Sequence, residues 1–288
     1  MNDKEKNHIC PGTLYLVATP IGNLADISER ARKVLSDVTF VAAEDTRNSA
    51  KLLSCLGIRN ELISYHEHNK KSAGEKIVKR LLSGDSCALI TDAGMPAVSD
   101  PGEDLVWLCA EAGVSVSVIP GACAAVRALA VSALPTGKCV FEGCLSAAAG
   151  ERRRRLSELA AEERTIILYE APHKLKSTLA DMREIFGDAR KVSLVRELTK
   201  INEEVLRMTL SEAVAYYEQR EPRGEYVLIT EGKPKASVEK ASDDIPVTEQ
   251  VERYVALGMS RMDAIKAVAK DRHVPKSEIY KLVVSDKD

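Results

Sequence analysis

Three turns bearing glycine and proline hold the residue types best suited to gripping a small molecule. They are ATPIGN (Ala18–Asn23), TDAGMPAVSDPG (Thr91–Gly102) and IPGACA (Ile119–Ala124). In Asp92-Ala-Gly-Met-Pro96 a carboxylate stands beside Gly94, which permits positive φ and close ligand approach, and beside Pro96, which stiffens the turn. The free amides and carbonyls of such a turn can read an amino acid and an adenine edge. Pro120-Gly121 opens a helix expected near Ala122, whose first unpaired amides suit a carboxylate. Cys123 has no evident cationic neighbour to lower its pKa, so packing against a ligand is favoured over nucleophilic attack. Any one of these turns reads as plain structure; three together point to one site. None contains G-x-G-x-x-G or G-x-x-x-x-G-K-[ST], so a dinucleotide fingerprint and a phosphate-cradling P-loop are both missing.

Other clusters carry charge. AAEDTRN (Ala42–Asn48) places Glu44, Asp45 and Arg47 together, either as substrate contacts or as a helix cap with a local ion pair. His66 and His68 of HEHN are expected on opposite sides of an extended segment, which disfavours shared metal binding. Either could act as a base near neutrality, or simply occupy a surface loop. YEAPHK (Tyr169–Lys174) and RELTK (Arg196–Lys200) offer Glu170, His173, Lys174, Arg196, Glu197 and Lys200, whose cations could hold nucleic-acid phosphates. Arg152, Arg153, Arg154 and Arg155 form the clearest basic run. Cations at a helix start oppose its dipole, and that conflict strengthens the case for an anionic partner over a merely solvated helix start. No metal motif is present, and no metal is assigned.

The elements that must position these residues alternate. Apolar runs Leu14–Ala18, Val38–Ala43, Leu62–Tyr65, Cys87–Thr91 and Ser115–Ile119 read as strands. Between them lie helices near Ile27–Leu35 (capped by Asp26), from a cap at Asp45 or Thr46 to an end at Gly57, near Ser72–Ser83 and near Glu103–Ala112, with another near Ala122–Val131. Such alternation implies a mostly parallel sheet covered by helices, and ligands bind outside the carboxyl ends of its strands. LPTGK (Leu134–Lys138) marks a boundary. Beyond it, strands Thr165–Tyr169, Val192–Val195, Val205–Thr209 and Tyr226–Thr230 suit a mixed sheet. Helices are expected at Arg152–Ala161, around Leu175–Phe186, and at Ser211–Gln219 with a cap at Ser211 and Glu212. The domain plan is a disordered leader 1–11, α/β domains 12–133 and 134–232, a polar linker 233–246 and a helical tail 247–288. In the tail Met262, Ile265 and Ala269 form one apolar stripe, and Ile279, Tyr280 and Val283 another. The joints at 258–260 and 273–275 suggest a small helix-turn-helix module.

Composition bounds the function. The 288 residues are 45% hydrophobic and 29% charged, as in ordinary globular proteins. Aromatics at 4% argue against a base-stacking platform built from aromatics, and a net charge of −2 gives no global nucleic-acid signature. Seven cysteines, an odd count with no C-x-x-C, favour a reduced cytoplasmic compartment. No signal peptide or membrane-length apolar run is visible.

Taken in order, TLYLVATPIGNLADIS, AAEDTRNSAKLL, TDAGMPAVSDPG, VIPGACAA, LYEAPHKL, RELTK and GEYVLIT resemble the ribosomal RNA small-subunit methyltransferase I family, of the tetrapyrrole-methylase class. The resemblance spans Gly12–Gly232. It implies a class III methyltransferase fold: two α/β domains with a cleft between them, a helical extension and a homodimer. It implies S-adenosylmethionine in the cleft, held by Pro20, by Asp92, Ala93, Gly94, Met95, Pro96, Val98 and Ser99, and by Pro120, Ala122 and Cys123. The implied reaction is methylation of a cytidine ribose 2′-hydroxyl in 16S ribosomal RNA near the decoding centre, with RNA entering over the AEDTR, HEHN, YEAPHK and RELTK loops. A tetrapyrrole or other small molecule is the alternative substrate. For the transfer, Glu44, Asp45 or Glu170 is the expected proton acceptor, and Arg47, Arg196 or Lys200 the group that orients ribose and phosphate. His66, His68, Arg152–Arg155, His173 and Lys174 are the expected RNA contacts. Cys144 and Ser146 stand where the family usually has Phe and Pro, and Met95 where Thr is commoner.

Overall fold

Leu14 and Leu16 face one core and Tyr15 and Val17 the other along a strand that is buried throughout, the signature of a central parallel strand. The computed structural model describes residues 8–234, 245–272 and 274–285. Residues 1–233 and 234–288 form two compact units.

The first unit holds two five-stranded sheets. In the first, β1 (Thr13–Val17), β2 (Phe40–Ala43), β3 (Glu61–Ser64), β4 (Cys87–Ile90) and β5 (Ser115–Ile119) run in the order β3-β2-β4-β1-β5, and all pairs are parallel. The helices α1 (Glu29–Asp37), α2 (Thr46–Cys55), α3 (Lys70–Leu82) and α4 (Glu103–Glu111) link the strands, and α5 (Ala124–Val131) follows the last. This order sets β4, β1 and β5 side by side, so the three glycine/proline turns emerge as neighbours from one edge.

The second sheet contains β6 (Cys139–Cys144), β7 (Thr165–Glu170), β8 (Lys191–Arg196), β9 (Glu204–Thr209) and β10 (Tyr226–Thr230), ordered β6-β7-β10-β8-β9. Only β6 and β7 pair in parallel, so this sheet is mixed, as its strand spacings suggested. Its helices are α6 (Ala149–Leu159), α7 (Pro172–Phe186) and α8 (Leu210–Glu218). The short apolar helix α5 packs Ala125, Ala128 and Leu129 with Ile167, Val195, Val227 and Ile229 of the second sheet. That shared core joins the two sheets across the boundary expected at 133/134, within one compact unit.

Three local expectations are corrected. Ser28, not Asp26, caps α1 by accepting from Ala31 N–H at 3.1 Å; Asp26 instead meets Arg127 at 3.0 Å. Thr209, not Ser211, caps α8, with Glu212 completing a capping box. The segment Cys139–Cys144, where no strand is expected from sequence, forms edge strand β6, whose register shifts between Phe141 and Gly143. A bulge hides the alternation that marks a strand.

The second unit is a three-helix module of α9 (Val247–Ala256), α10 (Arg261–Asp271) and α11 (Lys276–Ser285) around Val251, Ile265, Val268, Ile279 and Val283. Met262 and Tyr280, expected in the apolar stripes, are exposed, and Ala264 and Val268 take the inward positions. Their side chains lie one residue off the helix's inner face. Most of the expected leader and linker, and His273, fall outside the described residues. Among the described residues no helix is long and apolar enough to cross a membrane, and no cluster of three or more His, Cys, Asp or Glu could hold a metal.

Candidate functional site

The turns after β1 and β4 are stitched together. Thr19 N–H donates to Gly94 O at 2.9 Å, and Gly94 N–H returns a bond to Thr19 O at 3.1 Å. Gly94 sits at φ 88°, a region other residues enter only with strain. The third turn approaches so closely that a Cβ on Gly121 would stand 2.6 Å from Ala18 Cβ. Ala97 (φ 65°) and Ser99 (φ 62°) add strained backbone to the β4 turn. Such strain collects at ligand clamps.

These turns form one wall of a cavity of about 420 Å³. The other wall comes from the second sheet, where β6, β7 and β8 end beside the start of β10: Tyr226 is in register with both Glu170 and Arg196. Of the residues expected from sequence, Glu44, Asp92, Ala93, Gly94, Met95, Val98, Cys123 and Glu170 line the cavity. Pro20, Pro96, Ser99, Pro120 and Ala122 belong to the same turns without lining it. Ser99 Oγ would stand 2.8 Å from a Cβ on Gly143, which ties the β4 turn to β6.

Sequence reading missed several wall residues. Asp100 lies within the β4 turn but had no visible role. Burial, and secondarily the nearby Glu44 charge, pushes its carboxyl up to about 6. Tyr169 lines the cavity; burial pushes its hydroxyl up to about 12, and its oxygen accepts from Ala125 N–H at 3.2 Å. Ile21, Leu198 and Tyr226 were also missed, because only tertiary packing brings them to the wall. Cys144, noted as a departure, lines the cavity too, and burial raises its thiol pKa so that it stays protonated.

The three candidate proton acceptors differ sharply. Glu44 accepts from Thr91 Oγ1 at 2.7 Å through Oε2, and its Oε1 has no hydrogen-bond partner among the described residues. Thr91 is itself fixed, its carbonyl accepting from Thr19 Oγ1 at 3.1 Å. Asp45 caps α2 and is held by Arg47 at 2.8 Å, which keeps its carboxyl far below the usual range. Glu170 is buried and fully engaged: Oε1 accepts from Ala171 N–H (2.9 Å) and Lys174 Nζ (3.1 Å), and Oε2 from Thr178 Oγ1 (2.5 Å).

The expected cations are largely paired within the protein. Arg196 meets Glu204 at 3.2 Å, and Lys200 meets Glu197 at 2.9 Å and Glu225 at 2.8 Å. Lys174 turns inward to Glu170 and to Leu145 O at 3.0 Å. His173 stays exposed at the start of α7. His66 and His68 lie in a turn, not an extended segment, and their rings stand together, 5.9 Å apart and edge to face, rather than on opposite sides; residues two apart share a side even in an extended segment. The hydrogen bond from His66 N–H to Asn69 Oδ1 at 2.8 Å closes that turn.

The arginine run also finds internal partners. Arg152 is buried against Asp181 at 2.7 Å, Arg153 bridges Asp181 and Glu184, and Arg155 joins Glu142 and Glu158. Carboxylates on neighbouring elements thus relieve the dipole conflict at α6, and Arg154 is the exposed member without an ion pair among the described residues. Removing one member of a buried pair strands the other's charge. Arg152→Met is therefore expected to cost about 3 kcal/mol in urea unfolding, while Arg154→Ala leaves stability unchanged.

Residues 13–214 match the family model of the Tetrapyrrole (Corrin/Porphyrin) Methylases. The chain is 48% identical over 273 residues to Ribosomal RNA small subunit methyltransferase I of Halalkalibacterium halodurans, covering 94% of each protein. The chain belongs to the ribosomal RNA small subunit methyltransferase I family of tetrapyrrole methylases. The Bacillus subtilis member is 44% identical over 272 residues, covering 93% of each chain. Among solved structures, uroporphyrin-III-C-methyltransferase from Thermus thermophilus superposes with a TM-score of 0.55 at 19% identity, covering 77% of this chain and 94% of that one. A cobalt precorrin-4 methyltransferase gives 0.57 at 17% identity, covering 76% and 95%. These distant likenesses establish the class III methyltransferase fold of the two sheets, to which the helical extension described above is added. Family membership also accounts for the order of the motifs along the chain.

Proposed function

We propose that this chain transfers a methyl group from S-adenosylmethionine to the ribose 2′-hydroxyl of a cytidine in 16S ribosomal RNA near the decoding centre. The observation that carries the reading is the cavity that joins the three turns to Asp100 and Glu44, in a chain of this family. Its donor set fits the cofactor. Asp100 suits a ligand's cationic centre, while Ile21, Met95, Val98 and Leu198 supply apolar wall. Bound there, the cofactor supplies an electrophilic methyl on a sulfonium.

The protein's own work is positioning and proton removal. The stitched turns provide rigid backbone groups at the cavity wall. Glu44, with one carboxylate oxygen engaged by Thr91 and the other free, is the group best arranged to accept the hydroxyl proton. Asp45 and Arg47 neutralise each other, so their role in our reading is to fix the start of α2 beneath Glu44. Glu170 and Lys174 brace the opposite wall. Arg196 and Lys200 shape the RNA-facing loop, and His66, His68, His173 and Arg154 remain as outer RNA contacts.

The reading is tested by incubating purified, unmethylated small subunits with labelled S-adenosylmethionine and mapping nuclease fragments by mass spectrometry. A 2′-O-methylcytidine in the decoding region is expected. Cofactor binding without transfer to subunits or their RNA, together with methylation of a porphyrinoid, would overturn it.

A homodimer belongs to the same proposal. Edge strand β5 exposes Val116 and Val118, and α4 exposes Trp107. An apolar sheet edge left in water invites pairing. Val118→Arg is expected to shift the sedimentation mass from dimer toward monomer; an unchanged mass would remove this edge from the interface.

A further inference from the structure

The loop after β8 is strained and heavily braced. Glu197 (φ 49°) and Thr199 (φ 70°) occupy the left-handed region, costly for residues with a Cβ. Glu197 N–H donates to Glu225 O at 3.0 Å, Lys200 N–H to Glu197 O at 2.9 Å, Glu203 N–H to Lys200 O at 3.1 Å, and Thr199 N–H to Glu203 Oε2 at 2.6 Å. The Glu197 side chain fills the space over Gly224, where a Cβ would come within 2.5 Å of its Cγ.

This loop forms part of the cavity rim. Leu198 and Glu225 line the cavity, and the Lys200 stem lies against Gly22, next to the wall residue Ile21. At the tip stands Ile201, 99% exposed. Isolated apolar side chains are common on surfaces. This one is instead held out by a backbone that bears strain to hold it, one residue from a lysine packed against Gly22 beside the cavity wall. On the adjoining loop Arg223 is exposed and makes no ion pair among the described residues, whereas Arg196 and Lys200 beside it are neutralised. This stretch of the rim therefore presents a fully exposed apolar group beside a cation that is uncompensated among the described residues.

We propose that Ile201 packs against an unstacked base of the substrate RNA at the cavity rim, while Arg223 takes a phosphate of the same strand. This rests on the reading that the substrate is RNA. Specific RNA recognition favours unpaired bases that can be splayed out, and apolar side chains can cover the base step so opened. A ribose delivered into the cavity draws its nucleotide out of the stack, which leaves the neighbouring base face uncovered. With aromatics scarce, an aliphatic side chain on a fixed loop serves that face, and the arginine holds the strand in register.

The test uses the full chain with Ile201→Ser, Ile201→Leu and Arg223→Ala, unmethylated small subunits, and S-adenosylmethionine. Ile201→Ser is expected to lower kcat/KM for subunits roughly tenfold or more, with cofactor affinity by calorimetry and sedimentation mass unchanged. Ile201→Leu restores the rate. Arg223→Ala raises KM for subunits and reduces the salt slope of binding by about one. The proposal is overturned if Ile201→Ser methylates like the wild type, if Leu fails to rescue, or if the Ser variant changes mass, which would assign Ile201 to a contact between copies. A wild-type protein that methylates no ribosomal RNA would instead defeat the underlying RNA reading.

Discussion

Asp100→Asn is expected to weaken S-adenosylmethionine binding by roughly 10- to 100-fold, the worth of a charged hydrogen bond in a partly dry site. Burial and the Glu44 charge raise the Asp100 carboxyl to about 6 in the free protein. A cationic ligand favours the ionised form, so affinity is full above pH 7 and falls as pH drops through 6, where proton and ligand compete. In the Asn variant this step is lost, and calorimetry from pH 5 to 8 measures both effects. A pH profile that keeps its step in the variant would show that another group is responsible.

The same shift has a stability consequence of definite sign. Because the folded-state value lies above the ordinary 3.8, the folded protein holds this proton more tightly than the unfolded chain. The contribution is fully present below about pH 4 and is lost as pH rises through 6. Near pH 8 the ligand-free protein therefore carries an unfavourable charge at its site, and Asp100→Asn should raise its Tm there while leaving Tm near pH 4 nearly unchanged. Stability gained together with affinity lost is the pattern of a residue kept for binding.

Glu44→Gln is expected to reduce the single-turnover methylation rate roughly 100-fold or more, the usual contribution of a positioned general base. Cofactor affinity near pH 8 should change far less. Asp45→Asn and Glu170→Gln should act mainly on stability, since both oxygens of each carboxylate already have partners inside the protein. A second signature separates Glu44 from a passive wall residue. Removing its charge relieves part of the push on Asp100, so the pH step in cofactor binding moves below 6. If the Gln variant turns over at the wild-type rate on a saturating substrate, catalysis rests on positioning alone.

The residues alone specify the class of fold, because strand and helix periodicities alternate cleanly from Leu14 to Val131 and the turns after β1, β4 and β5 carry their own glycines and prolines. They also point to the strand ends that gather around the cavity and to the family that supplies the pattern. Bulged β6 escaped notice because its alternation breaks at Gly143. What the fold alone decided is which charges are free. Asp45 and Arg47 are close in sequence and their pairing was foreseeable, but Arg152 and Asp181 lie 29 residues apart, and Lys200 and Glu225 lie 25 apart. No periodicity reveals such partners. Asp100 acquires its raised pKa because packing buries it and, secondarily, because β2 ends beside β4 and brings Glu44 near, and Ile201 acquires significance only because strand pairing in the second sheet carries its loop to the cavity rim. Residue types limit what chemistry is possible; pairing and burial, which depend on long-range contacts, select the groups left to perform it.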